Sequence, residues 1–191
     1  MKNMKRSVAL LVAIALLIGC AAGGTMAWLT MKTDTVVNTF TTSDVTITLS
    51  ETKGTLKDGN HEFKMVPGDT IAKDPTVTVK ANSEKCYVFV SVEKVNNFDN
   101  YMTATMADGW TPGTGGAGQI PTTVYYRVVE SSAEDKPFQV LKDDSVKVNS
   151  TLTKGDMSTI GENVPKLNIT AYAIQFVGFA DANAAWAEAS K

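Results

Sequence analysis

The 191-residue sequence predicts an all-β fold, two packed sheets forming a sandwich, with one short helix near the C-terminal end. Three observations carry that expectation. Apolar residues recur at every second position in several short runs, Gly, Pro and Asn cluster between those runs, and helix-compatible sequence is confined to two brief stretches. No repeat at a period of about 20 to 50 residues, no heptad run and no second domain boundary is visible, so residues 28–191 are expected to form a single domain.

Residues 1–27 read as a secretory signal peptide. Lys2, Lys5 and Arg6 give it a positive start, Val8 to Ile18 is apolar, and small residues follow from Gly19 to Ala27. The positive end stays cytoplasmic while the apolar part enters the translocon, and an apolar run of about fifteen residues is short for a stable transmembrane helix. Two cleavage positions compete. Thr25-Met26-Ala27 offers small residues before Trp28, whereas Leu17-Ile18-Gly19-Cys20 resembles a lipobox, in which Cys20 would become the lipidated first residue of a tethered lipoprotein.

Beyond the leader, Val37 to Phe40 is a candidate first strand. Val45-Thr46-Ile47-Thr48-Leu49 puts Val45, Ile47 and Leu49 on one face and threonines on the other, and Pro75 to Lys80 repeats the device. Cys86 to Val95 is richer: Val88, Val90 and Val92 share one face and Tyr87 and Phe89 the other, the pattern of a central strand covered on both sides. Thr123 to Val129, Ser145 to Leu152 and Lys166 to Phe176 complete the strand set. Composition alone does not separate a jelly roll from an immunoglobulin-like topology.

The connections carry turn chemistry. Lys57-Asp58-Gly59-Asn60 reads as a hairpin turn and Pro67-Gly68-Asp69 as a second turn, with Pro fixing φ and Gly supplying the reversal. Thr111 to Gly118 is too Gly-rich for a strand and reads as a flexible exposed loop; without a Gly-Lys-Ser/Thr ending or a following helix it is not a phosphate cradle. Asp156 to Ile160 suits one helical turn. Asp181 to Ala189 is Ala-rich, with Asp181 as N-cap and Trp186 as the residue that pins it to the sandwich.

Charge and cysteine usage bound the function. Of 18 Lys plus Arg, three precede residue 28, as do none of the 20 acids, so the mature chain has 15 basic against 20 acidic residues, net −5. That balance argues against nucleic acid or an anionic membrane surface as partner. Removing the leader also leaves Cys86 as the only cysteine, which excludes an intramolecular disulfide; its place before Tyr87-Val88-Phe89-Val90 predicts a buried core thiol.

The search for catalytic chemistry yields no constellation. His61 is the only histidine and is followed by Glu62, but residue 65 is Met, so the two-histidine zinc arrangement is absent. No Gly-x-Ser-x-Gly elbow exposes a nucleophile. Glu134-Asp135 and Asp143-Asp144 are candidate Ca²⁺ loops, although without EF-hand spacing they read as solvated turns. Asn149-Ser150-Thr151 and Asn168-Ile169-Thr170 match the N-glycosylation pattern by chance. No catalytic residue, cofactor or metal ligand is assigned.

Several strings together suggest a family. Gly23-Gly24-Thr25-Met26-Ala27-Trp28-Leu29-Thr30, Asn38-Thr39-Phe40, Asp44 to Leu49, Val66 to Thr70, Tyr125 to Val129 and Thr170 to Gln175 resemble the TasA/camelysin-like exported proteins, which carry a SipW-type signal peptide. The resemblance implies a jelly-roll-like sandwich and cleavage between Ala27 and Trp28 by a SipW-like signal peptidase, discarding Cys20. It also implies a secreted, extracellular protein of the cell surface or biofilm matrix. Subunits of that kind self-associate into fibres by β-augmentation, an N-terminal strand completing a neighbour's sheet, and an accessory matrix protein is a possible partner. Here the donor is Trp28 to Phe40, with Leu29, Met31, Val36, Val37 and Phe40 as inserting side chains. Lys32-Thr33-Asp34-Thr35 interrupts the alternation, which leaves open that the segment folds back as the domain's own first strand. The alternatives are a monomeric surface-binding module displaying Gly113 to Gly118, a surface lipoprotein, and, less favoured, a camelysin-like metalloprotease acting through His61.

Overall fold

The computed structural model describes residues 44–57, 59–161 and 163–191, which belong to one compact unit. Among them twelve strands and three short helices follow in order: β1 Ile47–Ser50, β2 Thr55–Lys57, β3 Asn60–Glu62, β4 Thr70–Ala72, β5 Thr76–Val79, β6 Cys86–Val95, α1 Phe98–Tyr101, β7 Met102–Met106, β8 Thr111–Pro112, β9 Val124–Val129, β10 Lys136–Gln139, β11 Leu141–Val148, α2 Lys154–Ser158, β12 Lys166–Gln175 and α3 Ala182–Ala189.

Two layers organise these strands apart from β2 and β3, which form a separate hairpin. The ladders β1-β5-β10 and β4-β11-β7 are continuous, because β4 runs on into β5 and β10 into β11. The backbone bonds Lys73 N–H to Asp144 O (2.8 Å) and Val140 N–H to Pro75 O (3.0 Å) bridge the join. The second layer has the order β12-β6-β9-β8, all antiparallel, with β12 registered against all ten residues of β6. Strands β5, β6, β7, β9, β10 and β12 alternate between the layers. The expected all-β, jelly-roll-like two-sheet sandwich with a short C-terminal helix is what the chain forms.

The two faces of β6 explain why it is central. Cys86, Val88, Val90 and Val92 face the other layer and meet Val77, Val79, Leu141, Val146 and Val148 in the main core. Tyr87 and Phe89 point the opposite way into a second cluster with Ile120, Val124, Ala182 and Ala185. Val88, Phe89 and Val90 are all 0% exposed. Each such side chain contributes about 1.5–3 kcal/mol relative to exposure. Helix α3 closes the second cluster. Asp181 caps it by accepting a 2.9 Å bond from Ala184 N–H, and the Trp186 ring lies 5.2 Å from Phe89 and, edge-on, 5.2 Å from Tyr172.

Local chemistry sets the remaining turns. The β2–β3 hairpin reverses between Lys57 and Asn60 with Gly59 at φ 79°. Helix α2 starts from a capping box in which Thr153 and Asp156 exchange side-chain to backbone bonds. The Thr153 hydroxyl and backbone hold the Asp156 carboxyl below its ordinary range.

The structure differs from the sequence reading at several places. Strand β11 begins at Leu141 and ends at Val148, because the register against β7 shifts between Leu141 and Val146 and absorbs Lys142 to Ser145 in a bulge. Asp143 and Asp144 take φ of 56° and 46°, a region that Asp tolerates better than most residues. Strands β4, β7, β8 and β10 and helix α1 were not expected; β8 forms at Thr111–Pro112, at the start of the stretch read as a loop. Leu49 on β1 is 41% exposed although Val45 and Ile47 pack on the core.

The glycine-rich segment is exposed at Thr114 and at Gly116 to Gln119, as expected, but it is pinned at its base. Gly113 N–H bonds Val124 O, Gly115 N–H bonds Ile120 O, and Ile120 N–H bonds Asn183 Oδ1 at 3.0 Å. Gly113 is buried against backbone: a Cβ there would stand 2.2 Å from Pro121 O.

Candidate functional site: the open strand edges

Sequence alternation builds strands, and a sandwich that does not close leaves strand edges with unpaired backbone groups. β1 and β7 bound the first layer and β12 bounds the second, while at the far side β8 pairs only Tyr125 and Tyr126 of β9. Proteins commonly blunt such edges with lysine, proline or a bulge, since an open edge templates further pairing. Here β12 is ten residues long and its only charge is Lys166, at its first position; β1 and β7 carry none. Leu167, Ile169, Ala171 and Ala173 face the main core, and Tyr172 and Ile174 face the second cluster. No strand pairs with the outer edge of β12 among the described residues.

A cleft of about 330 Å³ lies at the C-terminal half of this edge, lined by Ala173, Ile174, Gln175 and Phe179 together with Asp44, Val45 and Glu84. Asp44 is the first described residue, and its carbonyl accepts from Glu84 N–H at 3.2 Å.

The residues singled out in the sequence fall in two groups. Cys20, Ala27, Trp28, Leu29, Met31, Val36, Val37 and Phe40 lie outside the described residues. Of the others, His61 places Nδ1 2.6 Å from Lys53 O, and Glu62 pairs with Lys57 at 3.4 Å. Asp135 accepts from Lys80 Nζ (2.6 Å) and Ala81 N–H (2.8 Å); the bond from Lys80 and that from Ala81 hold its carboxyl below the ordinary range. Asp144 Oδ2 accepts from Gln139 Nε2 at 2.6 Å. These acids tie loops to strands. No three His, Cys, Asp or Glu side chains converge as a metal site among the described residues.

Cys86 is 0% exposed, and burial pushes its thiol up to about 11 against the opposing pull of Lys136. Sequence reading missed two arrangements. Glu51, Thr52 and Lys53 are bound to Lys73 and Asp74, about twenty residues away in sequence. Arg127 is stacked between Phe138 and Trp110. Neither set is contiguous, so neither has a local signal.

No protein-family model, no curated protein and no solved structure matches this chain.

Proposed function

We propose that this chain is an exported structural protein of the cell surface or biofilm matrix, not an enzyme, whose copies join by strand addition. Residues 28–40, freed when a SipW-like signal peptidase cuts between Ala27 and Trp28, pair with the open edge of β12 in the next copy. The observation that carries this reading is that edge: ten residues, one charge and no proline. At about 3.3 Å per residue the thirteen-residue donor spans about 43 Å against about 33 Å for β12, so it is long enough to cover the edge. Apolar Leu29, Met31, Val36, Val37 and Phe40 supply side chains for the cleft beside Ala173 and Phe179.

Intact mass and N-terminal sequencing of the secreted protein, with size-exclusion chromatography of the same sample, test the reading. A Trp28 start with high-mass assemblies is expected, and deletion of residues 28–40 or Thr170→Lys on the edge abolishes the assemblies while leaving the monomer folded. A start at lipidated Cys20 without assemblies, or fibres that persist after the deletion, defeats it.

A second reading rests on the pinned glycine-rich loop, which presents Thr114 and Gly116 to Gln119 to solvent from a fixed base. It makes the chain a monomeric surface-binding module, and replacing Thr114 to Gly118 would then abolish retention on the matrix.

A further inference from the structure

Arg127 is the only arginine among residues 44–191; apart from His61, every other base there is lysine. It sits on β9 opposite Val88, whose side chain is 0% exposed, so it projects toward the first layer. Its guanidinium carbon lies 4.1 Å from the Phe138 ring centroid and 5.0 Å from that of Trp110. Both rings fall within cation–π range. Trp110 is itself fixed, 8% exposed, by its Nε1–H bond to Gln139 O at 2.8 Å. Gly109, at φ 86°, closes one side, where a Cβ would stand 2.5 Å from Arg127 Nη2.

The six ion pairs of the described residues all use lysine. No described acceptor takes a hydrogen bond from Arg127. The result is a half-buried planar fork, oriented by two rings and a glycine, with no acceptor on its donors among the described residues. Removing a cation from water without an acceptor is costly unless the acceptor comes from outside, and burial accordingly lowers the ordinary pKa of this guanidinium. A planar fork matches a carboxylate bidentately, which a lysine ammonium cannot do.

The neighbourhood is an edge. Beyond Tyr125 and Tyr126 the outer side of β9 has no strand partner among the described residues, and Val128 is 43% exposed. Residues 44–191 hold 19 acids against 14 bases, so another copy offers surplus carboxylates, whereas a densely charged polyanion would be repelled. Arginine and tryptophan at a partly desolvated position are typical anchors of protein contacts.

We infer that Arg127, held between Trp110 and Phe138, receives a carboxylate side chain of a second copy of this chain at the β9 edge. The inference rests on the self-association proposed above and adds a contact on the opposite side of the second layer from β12.

The test follows the Arg127 Nε–H resonance of the ¹⁵N-labelled chain, identified by its loss in Arg127→Lys, from micromolar to millimolar protein. The resonance is expected to move with concentration. Arg127→Lys and Arg127→Gln are each expected to weaken self-association about tenfold, the loss of one charge-assisted bidentate pair, with the circular dichroism of the monomer unchanged. A resonance that stays fixed while the chain associates overturns the inference, as does one moved by oligogalacturonate but not by added protein. Association that is lost on deleting residues 28–40 yet unaffected by Arg127→Lys and Arg127→Gln overturns it while leaving strand donation intact. A chain that stays monomeric throughout overturns both.

Discussion

Lys73 Nζ donates to both carboxylate oxygens of Glu51, each at 2.8 Å, and the two side chains are only 11% and 14% exposed. The pair fixes the segment leading into the β2–β3 hairpin against β4, and the Phe63 ring, 4.9 Å from the same ammonium, covers it. Breaking one side strands a charge. Lys73→Met is expected to cost about 3 kcal/mol, whereas Lys73→Met combined with Glu51→Leu comes back to within about 1 kcal/mol of the parent. Urea denaturation of the three proteins checks this, and a double variant no better than the single would refute it.

The neighbouring carboxylate gives a pH dependence. Burial pushes Asp74 upward, but bonds from the Thr52 hydroxyl and the Thr52 and Lys53 amides outweigh it and hold the carboxyl at about 2, against an ordinary 3.8. A depressed native pKa stabilises above the unfolded value, so the contribution is present at pH 5 and is lost as pH falls through 3.8 toward 2. Because Asp74 is partly exposed, screening by solvent reduces it to about 1 kcal/mol. Asp74→Asn should flatten that part of the stability–pH curve; an unchanged slope between pH 4 and 2 would contradict it.

Cys86 should be silent to thiol reagents in the native state. With the side chain 0% exposed and the thiol pushed up to about 11, labelling by a disulfide reagent at pH 8 is expected to follow global unfolding. Rapid native labelling would show that β6 opens locally. Cys86→Ser places a hydroxyl without an assigned partner in the core, at a cost of about 1–3 kcal/mol.

Trp186→Ala removes the ring that bridges Phe89 and Tyr172. A loss of about 2–3 kcal/mol is expected together with the near-ultraviolet signal of the second cluster, while far-ultraviolet strand signal persists. Asp181→Ala, which deletes the cap on Ala184 N–H, should cost about 1 kcal/mol.

Which parts were legible in the sequence follows from how local their causes are. Strand β6 was readable because its two faces are both apolar, and the α3 cap because Asp181 acts three residues away. The part of β10–β11 before Ser145 was not, because Asp143-Asp144 looks like a solvated turn. The bonds from Lys73 N–H to Asp144 O and from Gln139 to Asp144 Oδ2 help keep that bulge within the layer. Strand β7, Met-Thr-Ala-Thr-Met, lacks the bulky β-branched residues that mark a strand and owes its form to pairing with β11. The glycine-rich segment looked flexible because Ile120 and Asn183, which anchor it, lie outside the glycine run. The strand edges depend on which strand lacks a neighbour, and no single run of residues encodes that.

The pairing of β12 with β6 has a consequence for how the chain comes into being. Cys86 meets Gln175, and Val95 meets Lys166, so the central strand waits for a partner 71 to 89 residues further along the chain. Strands that alternate between layers offer few neighbouring hairpins on which a core could nucleate, and contacts of such long sequence separation make collapse slow. One edge of β6 therefore stays unpaired after β9 has joined the other, and the apolar run is left partly exposed to wrong partners until β12 arrives.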